Sequence, residues 1–466
     1  MPANLSDAIY QRLPVFGQNL LCTIAGYKRY RSRFSPRFHA ALAELEESAM
    51  GPLERLYEIQ RSRLDRLVTR ARKHSPFYRD LPPPSDHRDP EEALRRTLAS
   101  LPILEKSQYR DRPEAFLADD IPANRLRRGK TSGTTGTALP LWYTLDTLAE
   151  EFATVWRLRR ANGVAGPEVP NLTFNGPIIV PFGCERPPFW RTNAYGHQTL
   201  FSLYHMTPDN LRAYVDAIHE IPAGYVQGYP SSIHLVARAM LEAGRPLPAG
   251  RMSGVFTSSE SLLAFQRETI ETAFAAPVRD RYGVSEFAVS MTGCELNRHH
   301  VDMEFGIVEV EATEETSESV TGPLLVTGLA HDATPLIRYR IGDVGTRSKR
   351  PCPCGRPGDV FLDVDGRVED YVQTPDRRLI GRLDHIFKEQ LDIAEAQIIQ
   401  ETKEAIEVLI VPRSGFSDVS ERQLVKEIRS RLGDEIGVSI RPVKSIPREP
   451  NGKFRAVKSR VGSPSR

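Results

Sequence analysis

The chain has 466 residues, 40% of them hydrophobic and 26% charged, a balance that excludes a largely disordered protein and predicts two or three globular domains. Its 62 basic and 60 acidic residues leave a formal charge of +2, which argues against a nucleic-acid-binding protein driven by net charge. No stretch has the length of a membrane span or the basic start and apolar core of a signal peptide, so we expect a cytoplasmic protein.

The first part of the chain, residues 1–110, has a helical pattern. Apolar residues recur at helical spacing among arginines and glutamates and predict a buried stripe on a charged helix. This stripe consists of Leu56, Ile59, Leu64, Leu67 and Val68. The basic residues 70–74 fit an acidic partner or a solvated helix end, and the helix end is the simpler interpretation. We expect a helical extension packed on a larger domain.

A segment of hydroxyl residues and glycines follows the basic residues Arg127, Arg128 and Lys130. Such a turn presents backbone N–H groups and hydroxyl donors without bulky side chains, so it predicts a loop that wraps phosphate oxygens; a flexible surface loop is the alternative. It differs from a Walker loop because its lysine precedes the glycines and a strand, residues 139–144, follows it. Its members are Thr131, Ser132, Gly133, Thr134, Thr135, Gly136 and Thr137.

The middle of the chain, residues 111–366, alternates predicted helices and strands. We expect an apolar strand at residues 177–180 and a second strand that runs from residue 254 into a polar loop. Helices are predicted at residues 149–161 and 209–220, and a third, with a Ser/Thr-type cap, ends near residue 240. This alternation predicts an α/β sheet whose ligands gather at the carboxyl ends of the strands.

The character of the sequence changes near residue 365. Residues 367–466 predict a small α+β unit, with strands at 406–411 and 438–440, a helix at 420–432 and a turn at 450–453. The predicted fold class is therefore α/β: a large multi-layered domain with a helical N-terminal extension, plus a small α+β C-terminal domain.

Four further motifs follow the hydroxyl-rich loop in order: residues 282–286 (Tyr-Gly-Val-Ser-Glu), 339–343 (Tyr-Arg-Ile-Gly-Asp), 366–370 (Gly-Arg-Val-Glu-Asp) and 451–453 (Asn-Gly-Lys). Their order and spacing resemble the adenylate-forming superfamily of acyl-CoA synthetases, peptide-synthetase adenylation domains and luciferases. The chain is most similar to the phenylacetate–CoA ligase branch, and closer still to the capsular-polysaccharide-biosynthesis proteins related to it. The resemblance covers nearly the full length and implies that the C-terminal unit is a mobile lid.

The resemblance implies an ATP site. The hydroxyl-rich loop would hold the β- and γ-phosphates, Tyr282 would stack on adenine, and Asp343 would accept hydrogen bonds from both ribose hydroxyls. Read alone, Arg340 and Asp343 fit a surface ion pair. The other residues that this interpretation places at the nucleotide are Ser259, Glu260, Ser261, Gly283, Ser285 and Arg367.

The resemblance also implies the catalytic residues, which are Lys453, Glu286 and Arg367. Lys453 would arrive from the small domain and contact the substrate carboxylate and the α-phosphate; by itself it reads as a solvated lysine on a turn. Glu286 would bind Mg²⁺, and a carboxylate at a helix start is the alternative. Glu369 would occupy the hinge of the small domain, although the family usually has Asp or Lys there.

One departure from the family concerns phosphate binding. Relatives often carry Pro-Lys after the loop, whereas residues 138–141 of this chain are Ala-Leu-Pro-Leu. We therefore hypothesise that ATP binding depends on Lys130 or Arg128 instead.

The five cysteines are an odd number scattered over a long chain, which favours reduced thiols or a metal over disulfides. Cys352 and Cys354 flank a proline, and Cys294 and His300 lie upstream. Four such ligands could close a tetrahedral structural zinc, and some phenylacetate–CoA ligase relatives carry a comparable set. Free buried thiols are the alternative, and His299 competes with His300. Such a zinc would brace the sheet and take no part in the chemistry.

The leading hypothesis is an ATP-dependent ligase that makes an acyl-adenylate, releases pyrophosphate and passes the acyl group to CoA, a carrier-protein thiol or an amine. The alternative is a catalytically silent nucleotide-binding protein that acts as an assembly factor in capsule or exopolysaccharide biosynthesis. We expect a small carboxylic acid as substrate and no nucleic-acid partner, and a homodimer stays open. The acyl pocket is predicted near Phe201, Tyr204, His205, Tyr229 and Pro230, although core packing explains these residues about as well.

Overall fold

The computed structural model describes residues 5–130, 139–181, 183–207, 209–365, 372–376, 379–380, 383, 386, 392–413, 415–447 and 457–461. Within these ranges the protein is mixed α/β and is dominated by one large sheet, which confirms the predicted fold class. None of the helices in the described ranges is both long and apolar enough to cross a membrane.

The helices of the described ranges are α1 (Leu5–Arg12), α2 (Val15–Arg33), α3 (Pro36–Ser48), α4 (Leu53–His74), α5 (Pro90–Ser100), α6 (Lys106–Asp111), α7 (Leu145–Ala161), α8 (Leu211–Glu220), α9 (Pro230–Glu242), α10 (Ala264–Phe274) and α11 (Asp418–Leu432). Short 3₁₀ turns lie at Pro76–Tyr78, Pro113–Phe116 and Ala123–Arg125.

The strands of the same ranges are β1 (Arg127–Lys130), β2 (Pro140–Tyr143), β3 (Asn171–Phe174), β4 (Trp190–Asn193), β5 (Gln198–Phe201), β6 (Tyr225–Gly228), β7 (Val255–Ser258), β8 (Val278–Gly283), β9 (Ser290–Gly293), β10 (His299–Val301), β11 (Gly306–Val310), β12 (Glu314–Glu315), β13 (Ser319–Gly328), β14 (Tyr339–Ser348), β15 (Val360–Asp365), β16 (Val372–Gln373), β17 (Leu379–Ile380), β18 (Ile393–Gln400), β19 (Ala405–Pro412), β20 (Gly437–Pro442) and β21 (Val457–Ser459).

Helix α4 carries the predicted apolar stripe. Leu64 and Val68 are fully buried, and they pack with strands of the large sheet in one hydrophobic cluster. Burial of each such side chain stabilises the fold by roughly 1.5–3 kcal/mol. The basic end of this helix has partners within the chain: Arg70 forms an ion pair with Asp120 at 2.6 Å, and Nδ1 of His74 is hydrogen-bonded to Oδ1 of Asp119 at 2.9 Å. The interpretation as a helix end is therefore the better one.

The large sheet has 13 strands and two halves of different topology. The order β11-β13-β14-β15-β10-β9-β8 runs antiparallel, with β12 paired to β13. From β8 the order continues β7-β6-β3-β5 with parallel neighbours, and antiparallel β4 closes the edge. Helices α8, α9 and α10 connect successive parallel strands. The carboxyl ends of β3, β6, β7 and β8 therefore meet at one edge of the sheet.

Two expectations for this half are wrong. Residues 177–180 form no strand, because prolines bracket the segment and cannot donate to a ladder; the strand is β3, where all four residues are buried. Helix α9 lacks the expected Ser/Thr cap, since it begins at Pro230 directly after Tyr229 and no side chain of Tyr229 caps it. A carboxylate from another segment caps the helix instead, because Glu260 Oε2 accepts a hydrogen bond from the backbone N–H of Ser231 at 3.1 Å.

Helix α2 lies along the edge strand β4. The side chains of Asn19 and Thr23 accept the backbone N–H groups of Thr192 and Ala194, at 2.9 and 3.1 Å. A Cβ at Gly26 would lie 2.0 Å from the side chain of Asn193, so only glycine permits this approach. The N-terminal extension thus covers a strand edge that would otherwise be exposed.

The C-terminal unit has its own four-stranded sheet, ordered β20-β19-β18-β21, and its own core beneath α11. The predicted elements are present here with slightly wider bounds: β19 for residues 406–411, α11 for 420–432 and β20 for 438–440. Leu424 and Ile428 of α11 are fully buried against β18 and β19. The predicted turn at 450–453 lies outside the described residues.

Candidate active site

A cavity of about 1100 Å³ opens at the carboxyl ends of β3, β6 and β7. Asn175 and Gly176 follow β3 there, Tyr229 follows β6, and Ser259 follows β7. Helix α2 forms the opposite wall. The cavity is large enough for a small-molecule substrate, and its place at the carboxyl ends of parallel strands is where ligands of such sheets bind.

The predicted acyl-pocket residues divide into two groups. Phe201, Tyr204 and Tyr229 line the cavity; Tyr204 donates its hydroxyl to the carbonyl of Gly176 at 3.0 Å. His205 is buried between the hydroxyl of Ser202 (2.7 Å) and the carbonyl of Pro181 (3.1 Å). It borders instead a cleft that faces α11.

Pro230 is buried in the first turn of α9 and is not among the described residues that line the cavity.

Tyr282 and Asp343 come together although β8 and β14 are not neighbours in the sheet. The tyrosine hydroxyl donates to Asp343 Oδ2 at 2.7 Å. Arg340 does not pair with Asp343, which excludes the surface ion pair as an explanation; it pairs with Glu105 at 2.9 Å and with Glu311. The sequence did not indicate the hydrogen bond between Tyr282 and Asp343, because the two residues lie 61 positions apart in the chain.

Backbone strain lies at the same edge of the sheet. Ser259 has a φ of +73°, in the left-handed region that costs a non-glycine residue roughly 1–3 kcal/mol. Phe287, next to Glu286, has a φ of +54°. Strained residues of this kind cluster at ligand sites, and both flank predicted ATP-site residues. Of the remaining predicted residues, Ser261 is half-buried, and Gly283 and Ser285 are exposed.

Glu286 is a buried carboxylate, 7% exposed, and no described residue forms a hydrogen bond or ion pair with it. Tyr109 lies close enough that, after burial, the charge of Glu286 is the next cause of the raised pKa of its hydroxyl. A buried carboxylate without a partner among the described residues, next to the predicted ATP-site residues Tyr282 and Ser285, fits the donor that Mg²⁺ takes, one or two carboxylates completed by phosphate oxygens and water.

Several predicted residues lie outside the described residues. These are Thr131, Ser132, Gly133, Thr134, Thr135, Gly136, Thr137, Arg367, Glu369 and Lys453. Arg128 and Lys130 are described, and both are exposed on β1, which pairs with β2. In the sequence, Lys130 directly precedes the hydroxyl-rich segment.

The four predicted zinc ligands lie together in the antiparallel half of the sheet. Their ligand atoms are all within 4.8 Å of one another. Cys294 Sγ and Cys352 Sγ are 3.9 Å apart, close to the ~3.8 Å expected for two thiolates around a tetrahedral zinc. Cys354 Sγ is 3.3 Å from Nε2 of His300. His299 points elsewhere, to Asp280 Oδ2 at 3.1 Å, so the donor set fits zinc through His300.

Two arginines of α7, which the sequence did not single out, have opposite environments. Arg157 is buried against Glu304 Oε1 (2.9 Å) and Asp302. Although burial alone would lower its pKa, these two carboxylates raise it. Arg159 is equally buried on the cavity side, where it donates to Gln227, and burial lowers its pKa. Two residues apart on a helix is about half a turn, which is the signal that they face different sides.

The chain is similar in sequence to known proteins over nearly its whole length. The family described as the CapK C-terminal domain matches residues 372–460. Protein CapK of Staphylococcus aureus is 24% identical over 452 residues, covering 96% of this chain and 98% of that protein. Phenylacetate–coenzyme A ligase of Thermus thermophilus is 21% identical over 460 residues, covering 87% and 97%.

A solved structure shares the fold. It is 2-hydroxyisobutyryl-CoA ligase in complex with 2-HIB-AMP and CoA, with a TM-score of 0.54 and 16% identity, covering 89% of this chain and 92% of that one. Together with the motif order, these likenesses support a relationship to the adenylate-forming superfamily, in the phenylacetate–CoA ligase-like branch to which CapK is similar.

Proposed function

We propose that this protein is an ATP-dependent ligase that activates a carboxylic acid as an acyl-adenylate and transfers the acyl group to an acceptor. The observation that carries the proposal is the convergence of Tyr282, Asp343 and Ser259 at one sheet edge, beside a cavity of about 1100 Å³. In this proposal the nucleotide site and the pocket for a small acid would lie side by side, as the chemistry requires.

The first half-reaction joins two anions. A carboxylate oxygen attacks the α-phosphorus of ATP, the bond to the β-phosphate breaks, and pyrophosphate leaves. Catalysis is therefore largely charge neutralisation and in-line positioning. We assign the charge neutralisation to Lys453 and Arg367, and the grip on the β- and γ-phosphates to the hydroxyl-rich segment.

Tyr282 and Asp343 would hold the nucleoside. With Oδ2 held by the tyrosine hydroxyl, Oδ1 of Asp343 stays available to accept from the ribose hydroxyls. Mg²⁺, held by Glu286, would supply charge neutralisation on the phosphates.

The second half-reaction transfers the acyl group to a nucleophile. Relatives named for CoA ligation favour the thiol of CoA, and a carrier-protein thiol or an amine are the other acceptors to test. Residues 372–460 would form the lid that rotates about Glu369 between the two half-reactions.

We assign the cysteine–histidine cluster to a structural zinc. All four protein ligands are in place, and such a closed site leaves no open position for substrate. It lies on β9, β10 and the loop before β15, where it would brace the half of the sheet away from the cavity.

The test is a pyrophosphate-release screen over aryl, amino and fatty acids, with and without CoA. At least one acid should trigger release, and Lys453→Ala should lower the rate by about 100-fold or more, the effect of removing one transition-state charge donor. Lys444→Ala, an exposed lysine of the same unit, is the matched control and should leave the rate unchanged.

ATP binding without pyrophosphate release for any acid would contradict the ligase proposal and favour a silent nucleotide-binding assembly factor.

A further inference from the structure

The cavity has a positively charged wall. Four arginines line it: Arg29 and Arg33 from α2, Arg159 from α7 and Arg431 from α11. Among the described residues that line it, none is an aspartate or a glutamate. Arg431 has its partner outside this lining, Glu427 at 3.1 Å, so the charge without a carboxylate among the described lining residues lies mainly on the α2 and α7 side.

Arg159 is the deepest of these charges, with 6% of its surface exposed. Its guanidinium donates to Gln227 Oε1, and its Nε is buried without a hydrogen-bond partner among the described residues. The rings of Trp156 and Tyr225 flank it, at 5.0 and 5.3 Å from the guanidinium carbon. Aromatic faces and an amide hold the group in place without neutralising it.

Arg33 adds a second cation at the same wall. Its guanidinium lies over the ring of Phe152 at 4.6 Å, and no described residue forms a hydrogen bond or ion pair with it. The carboxylate whose charge acts on the pKa of Arg33 is Glu151, which is already paired with Arg281 at 2.8 Å. Around Glu151, three arginines (Arg33, Arg159 and Arg281) therefore share the charge of one carboxylate.

A buried charge is costly unless it is paired, because its hydration is lost. This chain pairs such charges elsewhere: Arg157, on the same helix, has two carboxylates of its own. The cost at Arg159 is compensated if a ligand supplies the missing anion.

A fixed polar floor adjoins Arg159. Gln227 Nε2 donates to Asn171 Oδ1 at 2.9 Å and to Thr173 Oγ1 at 3.0 Å, so its Oε1 is directed to the guanidinium. This network leaves the arginine preorganised and not free to reorient, as a binding site for a planar anion requires.

We infer that the cavity binds a carboxylic acid that carries a second anionic group at the end remote from the carboxylate to be activated. The inference rests on the proposed function in one respect: it takes the cavity to be the acyl site. Ser259 marks the end of the cavity near the nucleotide, so the reacting carboxylate would lie there. The second anion would reach Arg159 and Arg33.

The experiment compares matched acids that differ only in the remote group: benzoate with terephthalate and 4-phosphonobenzoate, and hexanoate with adipate. Pyrophosphate release and ATP-free calorimetric binding are measured on the full chain, on Arg159→Met and on Arg33→Met. Wild type should prefer the dianionic member of each pair by about tenfold or more, as expected for one charge-assisted hydrogen-bonded pair. The phosphonate arm tells a carboxylate from a phosphate-type anion.

Arg159→Met should lower kcat/KM and affinity for terephthalate by about tenfold or more relative to benzoate, so that the preference disappears. Arg33→Met should also reduce the preference for the dianionic acids. Because Arg33 is only half-buried, this substitution should disturb folding less than Arg159→Met. Equal use of both members of every pair by wild type, or a preference that survives both substitutions, would overturn the inference.

The two proposals fail separately. Binding of terephthalate that depends on Arg159, without pyrophosphate release, would contradict the ligase and retain the anion pocket. Release with monoacids alone, and no binding of any dianion, would retain the ligase and overturn the pocket.

Discussion

Arg157 and Arg159 lie two residues apart on α7 and face the two halves of the sheet. In the antiparallel half, Arg157 donates hydrogen bonds to the buried carboxylates of Asp302 and Glu304. In the parallel half, Arg159 donates to the side-chain amide of Gln227, lies next to aromatic rings and borders the cavity. The antiparallel half supplies carboxylates to its buried arginine, whereas the parallel half leaves Arg159, beside the cavity, without a carboxylate partner among the described residues.

The same contrast extends to their surroundings. Asp302 also pairs with Arg356 at 2.8 Å, and its pKa is lowered because Arg157 and Arg356 outweigh its burial. At the other edge, Ser259 is held in a strained conformation next to the cavity. The two arginines thus differ in whether the described residues supply a carboxylate partner, and substitution of each one tests this difference.

The largest expected effect is a difference in stability between substitutions of Arg157 and Arg159. Arg157→Met should lower the free energy of unfolding by up to about 5 kcal/mol, because it leaves Glu304 buried without its guanidinium. Arg159→Met should change it by about 1 kcal/mol or less, since no carboxylate loses a partner. Urea unfolding of both variants measures the difference, and equal costs would contradict it.

The zinc prediction concerns the antiparallel half of the sheet, where the cysteine–histidine cluster lies. The purified protein should hold one zinc per chain, and Cys294→Ser should abolish it. With free zinc about 1,000-fold above Kd, loss of the site should lower the free energy of unfolding by about 4 kcal/mol. Elemental analysis and urea unfolding check this, with Cys184→Ser, a thiol outside the cluster, as the control. Full zinc content in Cys294→Ser would exclude these ligands.

His331 provides a pH test of a buried group. Burial lowers the pKa of this fully buried imidazole from 6.5 to about 4. Its contribution to stability is therefore complete above pH 6.5 and is lost as the pH falls toward 4, amounting to about 3 kcal/mol. His331→Asn keeps an acceptor for the N–H of Thr334 and should remove that share of the pH dependence.

Urea unfolding between pH 7 and 4 measures the slope. His39→Asn, at an exposed histidine, should leave the slope as in wild type. An unchanged slope in His331→Asn would show that other groups cause the acid sensitivity.

The smallest effect concerns the nucleotide side. Tyr282→Phe removes the hydrogen bond to Asp343 and should raise KM for ATP by about five- to tenfold, equivalent to about 1 kcal/mol. Initial-rate kinetics at saturating acid measure it, with Tyr195→Phe at an exposed tyrosine as the control. No change in KM for ATP would mean that this pair does not hold the ribose.

The sequence predicted what depends on short segments. The stripe of α4, the α/β alternation and the cysteine–histidine set are local patterns, and the structure places their residues as those patterns require. The sequence-based prediction was wrong at residues 177–180, where apolar residues suggested a strand. The true strand β3 has polar residues such as Asn171, which burial tolerates because Gln227 donates to it.

The charge of the cavity could not be predicted from the sequence. The surroundings of Arg159 come from α2, α7 and β6, which are far apart in the chain. Nothing local distinguishes Arg159 from its neighbour Arg160, which is exposed and pairs with Glu46 at 3.0 Å. Only the fold determines which arginine of α7 is left without a carboxylate.

Carboxylate-dependent exchange of labelled pyrophosphate into ATP tests the central claim most directly, because it reports reversible acyl-adenylate formation whatever the acceptor. We predict exchange that requires a carboxylic acid and that is lost in Lys453→Ala and retained in Lys444→Ala. Exchange without any acid, or bound ATP with no exchange for any acid in the panel, would contradict the assignment as a ligase.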